Sequence, residues 1–174
     1  MLKIKNKKLK LNKGMTLFIA VVIMGILLFI SFAAINVALK GTLFATSGRD
    51  SQFAFYAADA GIECAEYWDS KFDPSKFDIS VGGSPINCGG YGISTGQNFF
   101  GTTVRIGGPE ADAANDTSIF GFVMNRGNNP VLYCAIVTVE KRQSDGKTYI
   151  KSKGYNTCDT SNPRRVERGI EVTY

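Results

Sequence analysis

The chain has 174 residues, enough for one modest folded domain beside a membrane anchor. It contains no histidine, the residue that most often serves as a general base in enzymes and as a ligand in metal sites. Six of its 20 basic residues are lysines within the first 13 positions, so the remaining 14 basic residues are balanced by 15 acidic ones. The basic character belongs to the amino terminus, and no nucleic-acid-binding surface is expected elsewhere.

A stretch without any ionisable side chain follows the lysines, from residue 15 to residue 39. About 20 apolar residues suffice for a helix to cross the hydrocarbon core of a membrane. This stretch also lacks the polar face that the core helices of soluble proteins keep. Lysines beside a membrane helix stay in the cytoplasm. We therefore expect a single-pass inner-membrane protein, with its amino terminus inside and the chain after Lys40 outside. A signal peptide cleaved near Ala34 is the alternative.

Two motifs resemble those of a known family. The first is Lys13-Gly14-Met15, where a short basic leader ends in glycine directly before the apolar stretch. It resembles the leader of type IV prepilins, which a membrane-bound prepilin peptidase cuts after the glycine. The second is RDSQFAFYAADAGIE at residues 49–63, an arginine–acid pair followed by a small-residue helix that ends in an acid. It resembles the corresponding segment of PilX-type minor pilins.

The resemblance implies processing by prepilin peptidase between Gly14 and Met15, and N-methylation of the new amino terminus at Met15. It implies that the apolar helix then packs with other pilin subunits into an extracellular filament. The filament would be a type IV pilus or a type II secretion-like assembly, with a role in cell adhesion or secretion. This chain would be a minor pilin or pseudopilin, and neither a cofactor nor a metal is expected. DNA-uptake filaments share the fold, and the sequence does not distinguish them.

The residue at position 19 indicates a low-copy subunit. In major pilins the fifth residue of the mature chain is usually a glutamate that neutralises the amino terminus of a neighbouring subunit. Counting from Met15 places Ile19 there. An ammonium group without a counter-charge is costly in an apolar filament core. We therefore expect this chain at the tip of a filament, or dispersed among glutamate-bearing partners.

The helical pattern continues beyond residue 40. Small and apolar residues recur there at three- and four-residue steps and form one face: Leu43, Ser47, Asp50, Ala54, Ala57, Gly61, Cys64 and Trp68. We expect one helix from Met15 to about Trp68. A bend or a local break at residues 41–48 is the alternative, because glycine lowers helix propensity. The predicted organisation is a leader at 1–14, a membrane-spanning half of the helix at 15–39, its outer half at 40–68 and a β-rich extracytoplasmic domain at 69–174.

The carboxyl-terminal part of the chain has the alternating pattern of β-strands. Three strands of an antiparallel meander are predicted, at residues 131–142, 148–153 and 166–174. A hairpin turn is predicted at Asp145-Gly146 and a bulge at Gly169. Weaker strands are predicted at residues 102–106 and 119–124, and the glycine-rich stretch at 82–96 predicts a long connection with turns. The predicted fold class is α+β: a long amino-terminal helix packed through its small-residue face on a carboxyl-terminal antiparallel β-meander, the pilin-like layout.

The four cysteines all lie on the outer side of the predicted membrane helix: Cys64, Cys88, Cys134 and Cys158. An even number of well-separated cysteines in an oxidising compartment predicts two disulfides rather than a metal site. Buried free thiols are the alternative. A three-residue loop at residues 145–147 would place Cys134 directly opposite Cys158, which leaves Cys64 to pair with Cys88. A two-residue turn would shift this register by one residue.

The sequence contains no recognisable catalytic constellation. It has no nucleophile–base pair, no zinc-type cysteine spacing and no phosphate-binding loop between a strand and a helix. Three carboxylates between residues 110 and 117 could offer oxygen ligands to calcium. Their spacing does not match an EF-hand, so a solvated loop is preferred. A structural protein rather than an enzyme is expected, and a membrane-anchored extracytoplasmic binding module that does not polymerise is the alternative.

Overall fold

The computed structural model describes residues 13–81, 83–107, 116–126, 129–142 and 144–174. The chain divides into two compact units, Met1–Thr46 and Ser47–Tyr174. Helix α1, Lys13–Ser70, belongs to both units and remains helical through residues 41–48, where the alternative prediction had a break. Two predicted features lie outside the described residues: the leader up to residue 12 and most of the acidic loop at 110–117.

In the first unit, the apolar segment of α1 (residues 15–39) exposes nearly all of its side chains. Its polar side chains bond back onto the helix, as polar groups in an apolar environment must. Ser31 Oγ donates to the Leu27 carbonyl at 2.8 Å, and Asn36 Nδ2 donates to the Phe32 carbonyl at 3.1 Å. With a mean hydropathy of 2.9 over its most apolar window, the helix is long and apolar enough to cross a membrane.

The second unit contains a four-stranded antiparallel sheet in which consecutive strands are neighbours. Its strands are β5 (Asp116–Arg126), β6 (Asn129–Arg142), β7 (Lys147–Tyr155) and β8 (Glu167–Thr173). The predicted meander is therefore confirmed, and the weak strand predicted at residues 119–124 is its longer fourth member, β5. The fold is α+β, as predicted.

The glycine-rich stretch before the sheet folds into short hairpins rather than a long irregular connection. The first pairs β1 (Ile86–Cys88) with β2 (Tyr91–Ile93), and the second pairs β3 (Asn98–Phe99) with β4 (Thr102–Thr103). Gly89 turns the first hairpin with a φ of 60°, a region that favours glycine. The strand predicted at residues 102–106 is reduced to β4 and an isolated bridge from Arg105 to β5.

Two details of the predicted meander are wrong. Arg142 pairs with Lys147, whereas a three-residue loop would have placed Ser144 opposite Thr148. Gly169 pairs with Lys153 in a register that is regular along all of β8, so the predicted bulge is not there. Both errors concern register, which in a hairpin depends on the turn type and the loop length as well as on the hydrophobic pattern.

The outer segment of α1 (residues 47–70) packs on one face of the sheet through its smallest side chains. Four alanines on this face are completely buried: Ala54, Ala57, Ala58 and Ala65. A Cβ atom added to Gly154 of β7 would overlap the backbone of Ala54 and Ala58, and one added to Gly61 would overlap the Ser152 side chain. The larger core side chains fill the space around these contacts, including Phe77, Phe120, Val137, Val139 and Ile150. The predicted small-residue face is confirmed.

The close approach at Gly61 leaves the hydroxyl of Ser152 buried, and no described residue forms a hydrogen bond with it. A buried hydroxyl without a partner costs about 1–3 kcal/mol. We expect Ser152→Ala to raise the free energy of unfolding by about 1 kcal/mol, measured by urea titration of the detergent-solubilised chain.

Ser118 provides the matched control for this substitution. It is equally buried, but its Oγ accepts a hydrogen bond from the Gly107 backbone N–H at 2.9 Å. Ser118→Ala should therefore lower the free energy of unfolding, because it leaves that N–H unpaired. A loss of stability in both variants would show that the Ser152 hydroxyl has a partner.

Candidate functional site

The predicted cleavage site lies in the first turn of α1. The helix begins at Lys13, so Gly14 and Met15 are its next two residues. The Met15 side chain is 65% exposed, and that of Ile19 is 45% exposed. Both side chains are therefore open to contact with a second protein or with lipid.

The arginine–acid pair of the second motif, Arg49 and Asp50, lies inside α1 rather than in a turn. It lines a groove of about 480 Å³ within the second unit. Phe53 of α1 and Leu132 of β6 form an apolar part of the groove, and the connection between β7 and β8 forms another wall. No pattern in the sequence predicts this groove, because its walls come from three separate segments.

The connection that walls the groove is held by hydrogen bonds at its base. Asn156 Nδ2 donates to the Arg164 carbonyl at 3.0 Å, and the Val166 N–H donates to Asn156 Oδ1 at 2.7 Å. The Cys158 N–H donates to the Leu132 carbonyl at 3.2 Å, which ties the connection to β6. These hydrogen bonds hold one wall of the groove beside β6.

Cys64 and Cys88 form a disulfide, with their Cα atoms 5.9 Å apart. This confirms the predicted pair. One turn further along the helix, Trp68 donates its indole N–H to the Asn87 carbonyl at 3.1 Å. Both links join the outer segment of α1 to β1.

Cys134 and Cys158 are buried free thiols in the structure, so the second predicted disulfide is not formed there. The register behind that prediction is also wrong, because Cys134 pairs with Tyr155, three residues before Cys158. The two side chains are nevertheless neighbours. The hydrogen bond between them raises the pKa of the Cys134 thiol, and burial of the thiol raises it further. Their oxidation to a disulfide stays a prediction.

Asp69, at the end of α1, has four side-chain partners, and no pattern in the sequence predicts them. Its carboxylate accepts hydrogen bonds from Ser75 Oγ at 2.5 Å, Lys141 Nζ at 2.6 Å, Tyr174 Oη at 2.9 Å and Thr148 Oγ1 at 3.4 Å. Since the side chain is only 6% exposed, these donors replace the water that a carboxylate otherwise needs. They fasten the helix end to the sheet.

The protonation of Asp69 and Tyr174 follows from these contacts. Burial raises the pKa of the Asp69 carboxyl, but the bonds from Lys141 and Ser75 outweigh that effect and lower the pKa below its ordinary value. Burial, and then the bond to Asp69, raise the pKa of the Tyr174 hydroxyl. At neutral pH the carboxylate is therefore charged and the phenol is neutral.

Comparison of the chain with protein-family models, with curated proteins and with solved structures found no match. The architecture itself is pilin-like: a long, apolar amino-terminal helix whose outer segment packs on an antiparallel sheet. Within the described residues there is no group of three or more histidine, cysteine or acidic side chains arranged to hold a metal ion.

Proposed function

We propose that this chain is a structural subunit, a minor pilin or pseudopilin, of a type IV pilus or a type II secretion-like filament. The observation that supports this best is a single helix with two different surroundings. Its apolar segment is exposed and free of charge, whereas its outer segment packs on an antiparallel meander. A subunit that moves from a membrane into a filament needs this division.

The physical basis of this role is that lipid and neighbouring helices can substitute for one another. Helices associate in lipid through packing and not through exclusion of water. A helix that is stable in the inner membrane can therefore exchange lipid for the helices of other pilin subunits. In this proposal the amino terminus faces the cytoplasm before assembly, prepilin peptidase removes the leader, and the mature chain becomes part of an extracellular filament.

Processing is the first test of this function. We expect the mature chain to begin at Met15, because the basic leader ends in glycine directly before the apolar segment. Gly14→Asp should abolish the cut and leave membrane insertion intact. Intact-mass measurement of the chain from its membrane fraction would read out both results. Gly48→Asp, at another helical glycine whose surroundings are open, is the control and should be processed normally.

Two outcomes would contradict the proposal. If only full-length chain were found in cells with an active prepilin peptidase, the leader assignment would be wrong. If the chain were processed but absent from sheared filaments, the non-polymerising binding module would be the better account. Immunogold labelling of native filaments would also show whether the chain is sparse or at the tip, as Ile19 leads us to expect, or repeats along the shaft.

A further inference from the structure

The described lining of the groove beside Arg49 contains two arginines and two aspartates. Within the described residues neither the Arg49 nor the Arg164 guanidinium forms an ion pair. Asp159 also lines the groove, but it accepts hydrogen bonds from the Ser161 N–H at 2.9 Å and hydroxyl at 2.7 Å. Asp50 is the one other carboxylate on the described lining. Because neither guanidinium is in an ion pair within the described residues, each can accept a carboxylate from outside the groove.

The floor of the groove between these charges is apolar. Leu132 is 40% exposed there, and Phe53 stacks on Tyr133 with ring centroids 5.9 Å apart. A small inorganic anion would leave this floor uncovered. A protein surface that combines apolar and acidic side chains would cover the floor and pair with the guanidinium groups at once.

The exposed side of the outer segment of α1 has this combination. Phe55 and Tyr56 are 49% and 61% exposed. Asp59 and Glu63 follow on the same side, four residues apart and both exposed. Neither carboxylate forms an ion pair within the described residues, and like charges at this spacing repel each other. Within the described residues, the carboxylates of this acidic–aromatic face (residues 55–63) therefore lack a cationic partner, and the guanidinium groups of Arg49 and Arg164 lack a carboxylate partner.

We propose that the groove binds the acidic–aromatic face of a second copy of this chain. Asp59 and Glu63 lie 10 and 14 residues beyond Arg49 in α1, or about 15–21 Å along the helix axis. Two parallel copies displaced by about that distance would place the carboxylates of one beside the guanidinium groups of the other. Because the two surfaces differ, the contact is heterologous.

This contact rests on the proposed function, since a filament and its membrane precursors are what bring parallel copies side by side. It requires only two adjacent copies, so it is compatible with a low-copy subunit. Asp50 also lines the groove and forms no ion pair within the described residues. Both arginines are changed together in the test so that neither guanidinium remains to receive a carboxylate.

The test is site-specific cross-linking in the full-length, membrane-inserted chain. A photoactivatable benzoylphenylalanine replaces Tyr56, and the cross-linked dimer is quantified and its attachment sites are mapped by mass spectrometry. We expect attachment within residues 156–164 or at Leu132. R49E/R164E should reduce the dimer by about tenfold, because like charges then oppose each other. Adding D59K/E63K to that variant should restore most of the dimer.

Charge reversals elsewhere on the second unit are the controls. Lys147→Glu and Asp73→Lys alter exposed residues outside both surfaces, and they should leave the dimer unchanged. Cross-links to a different protein, attachment outside the groove, or no rescue by the combined reversal would overturn this inference. If the mapped dimer forms in membranes but the chain is missing from filaments, the inference stands and the proposed function fails. If the chain enters filaments without this cross-link, the proposed function stands and the inference fails.

Discussion

Gly154→Ala should cost about 3 kcal/mol or more of the free energy of unfolding of the second unit. A Cβ at this position of β7 would overlap the carbonyl oxygen of Ala54 and the backbone nitrogen of Ala58. Backbone atoms inside a helix cannot rotate away as a side chain can, so the whole outer segment of α1 would have to move off the sheet. The buried alanines on that face would then lose their contacts.

The single tryptophan makes this measurable. Trp68 lies near the end of the outer segment and is bonded to Asn87, so its fluorescence reports on the docked helix during urea unfolding. Gly169→Ala is the matched control, because the nearest atom to a Cβ there is the Ser152 carbonyl oxygen at 3.9 Å. We expect that control to change stability by no more than about 0.5 kcal/mol. Equal losses in the two variants would show that α1 does not pack through this face.

The features predicted correctly from the sequence are those that follow from a pattern among residues close together in the chain. The helix and its small-residue face follow from a period of three to four residues, and the strands of the meander follow from a period of two. Gly61 and Ala54 could be assigned to the packed face because the sequence around them repeats that period. The resemblance to prepilins likewise rests on residues that are adjacent in the chain.

Neither the strand register nor the long-range polar contacts could be read from a local sequence pattern. The pairing of Cys134 with Cys158 was predicted from an assumed turn, and the actual pairing of Arg142 with Lys147 shifts the strands by three residues. The Cys64–Cys88 disulfide was therefore predicted correctly, although the register assumed in the elimination was wrong. Asp69 was missed because its donors come from four positions spread over about a hundred residues, and no period connects them.

Asp69→Asn should lower the free energy of unfolding by about 3 kcal/mol at neutral pH. The substitution keeps the shape of the side chain but removes the charge that Lys141 and the hydroxyl donors stabilise. It leaves the Lys141 ammonium, 26% exposed, without its counter-charge. Because that ammonium can still reach water, the loss should lie at the lower end of the range for a broken buried pair. Urea unfolding followed by Trp68 fluorescence would measure it.

The loss of stability caused by Asp69→Asn should depend on pH. The pKa of Asp69 is lower in the folded chain than its ordinary value of 3.8. The contribution of the charged carboxylate is therefore complete above that ordinary value, and it is lost as the pH falls through the lower pKa of the folded state. The difference in stability between the original chain and Asp69→Asn should be constant near neutral pH and should shrink below about pH 4.

Other carboxylates with lowered pKa values titrate in the same range, so the comparison needs a second variant. Asp145 has a lowered pKa because it accepts a hydrogen bond from Tyr149, but it is exposed on the turn before β7. Asp145→Asn should therefore have a much smaller effect at every pH. If the stability of Asp69→Asn ran parallel to that of the original chain down to acidic pH, the charge on Asp69 would not be what fastens the end of α1. Its hydrogen bonds, which an asparagine can partly replace, would then have to be the cause.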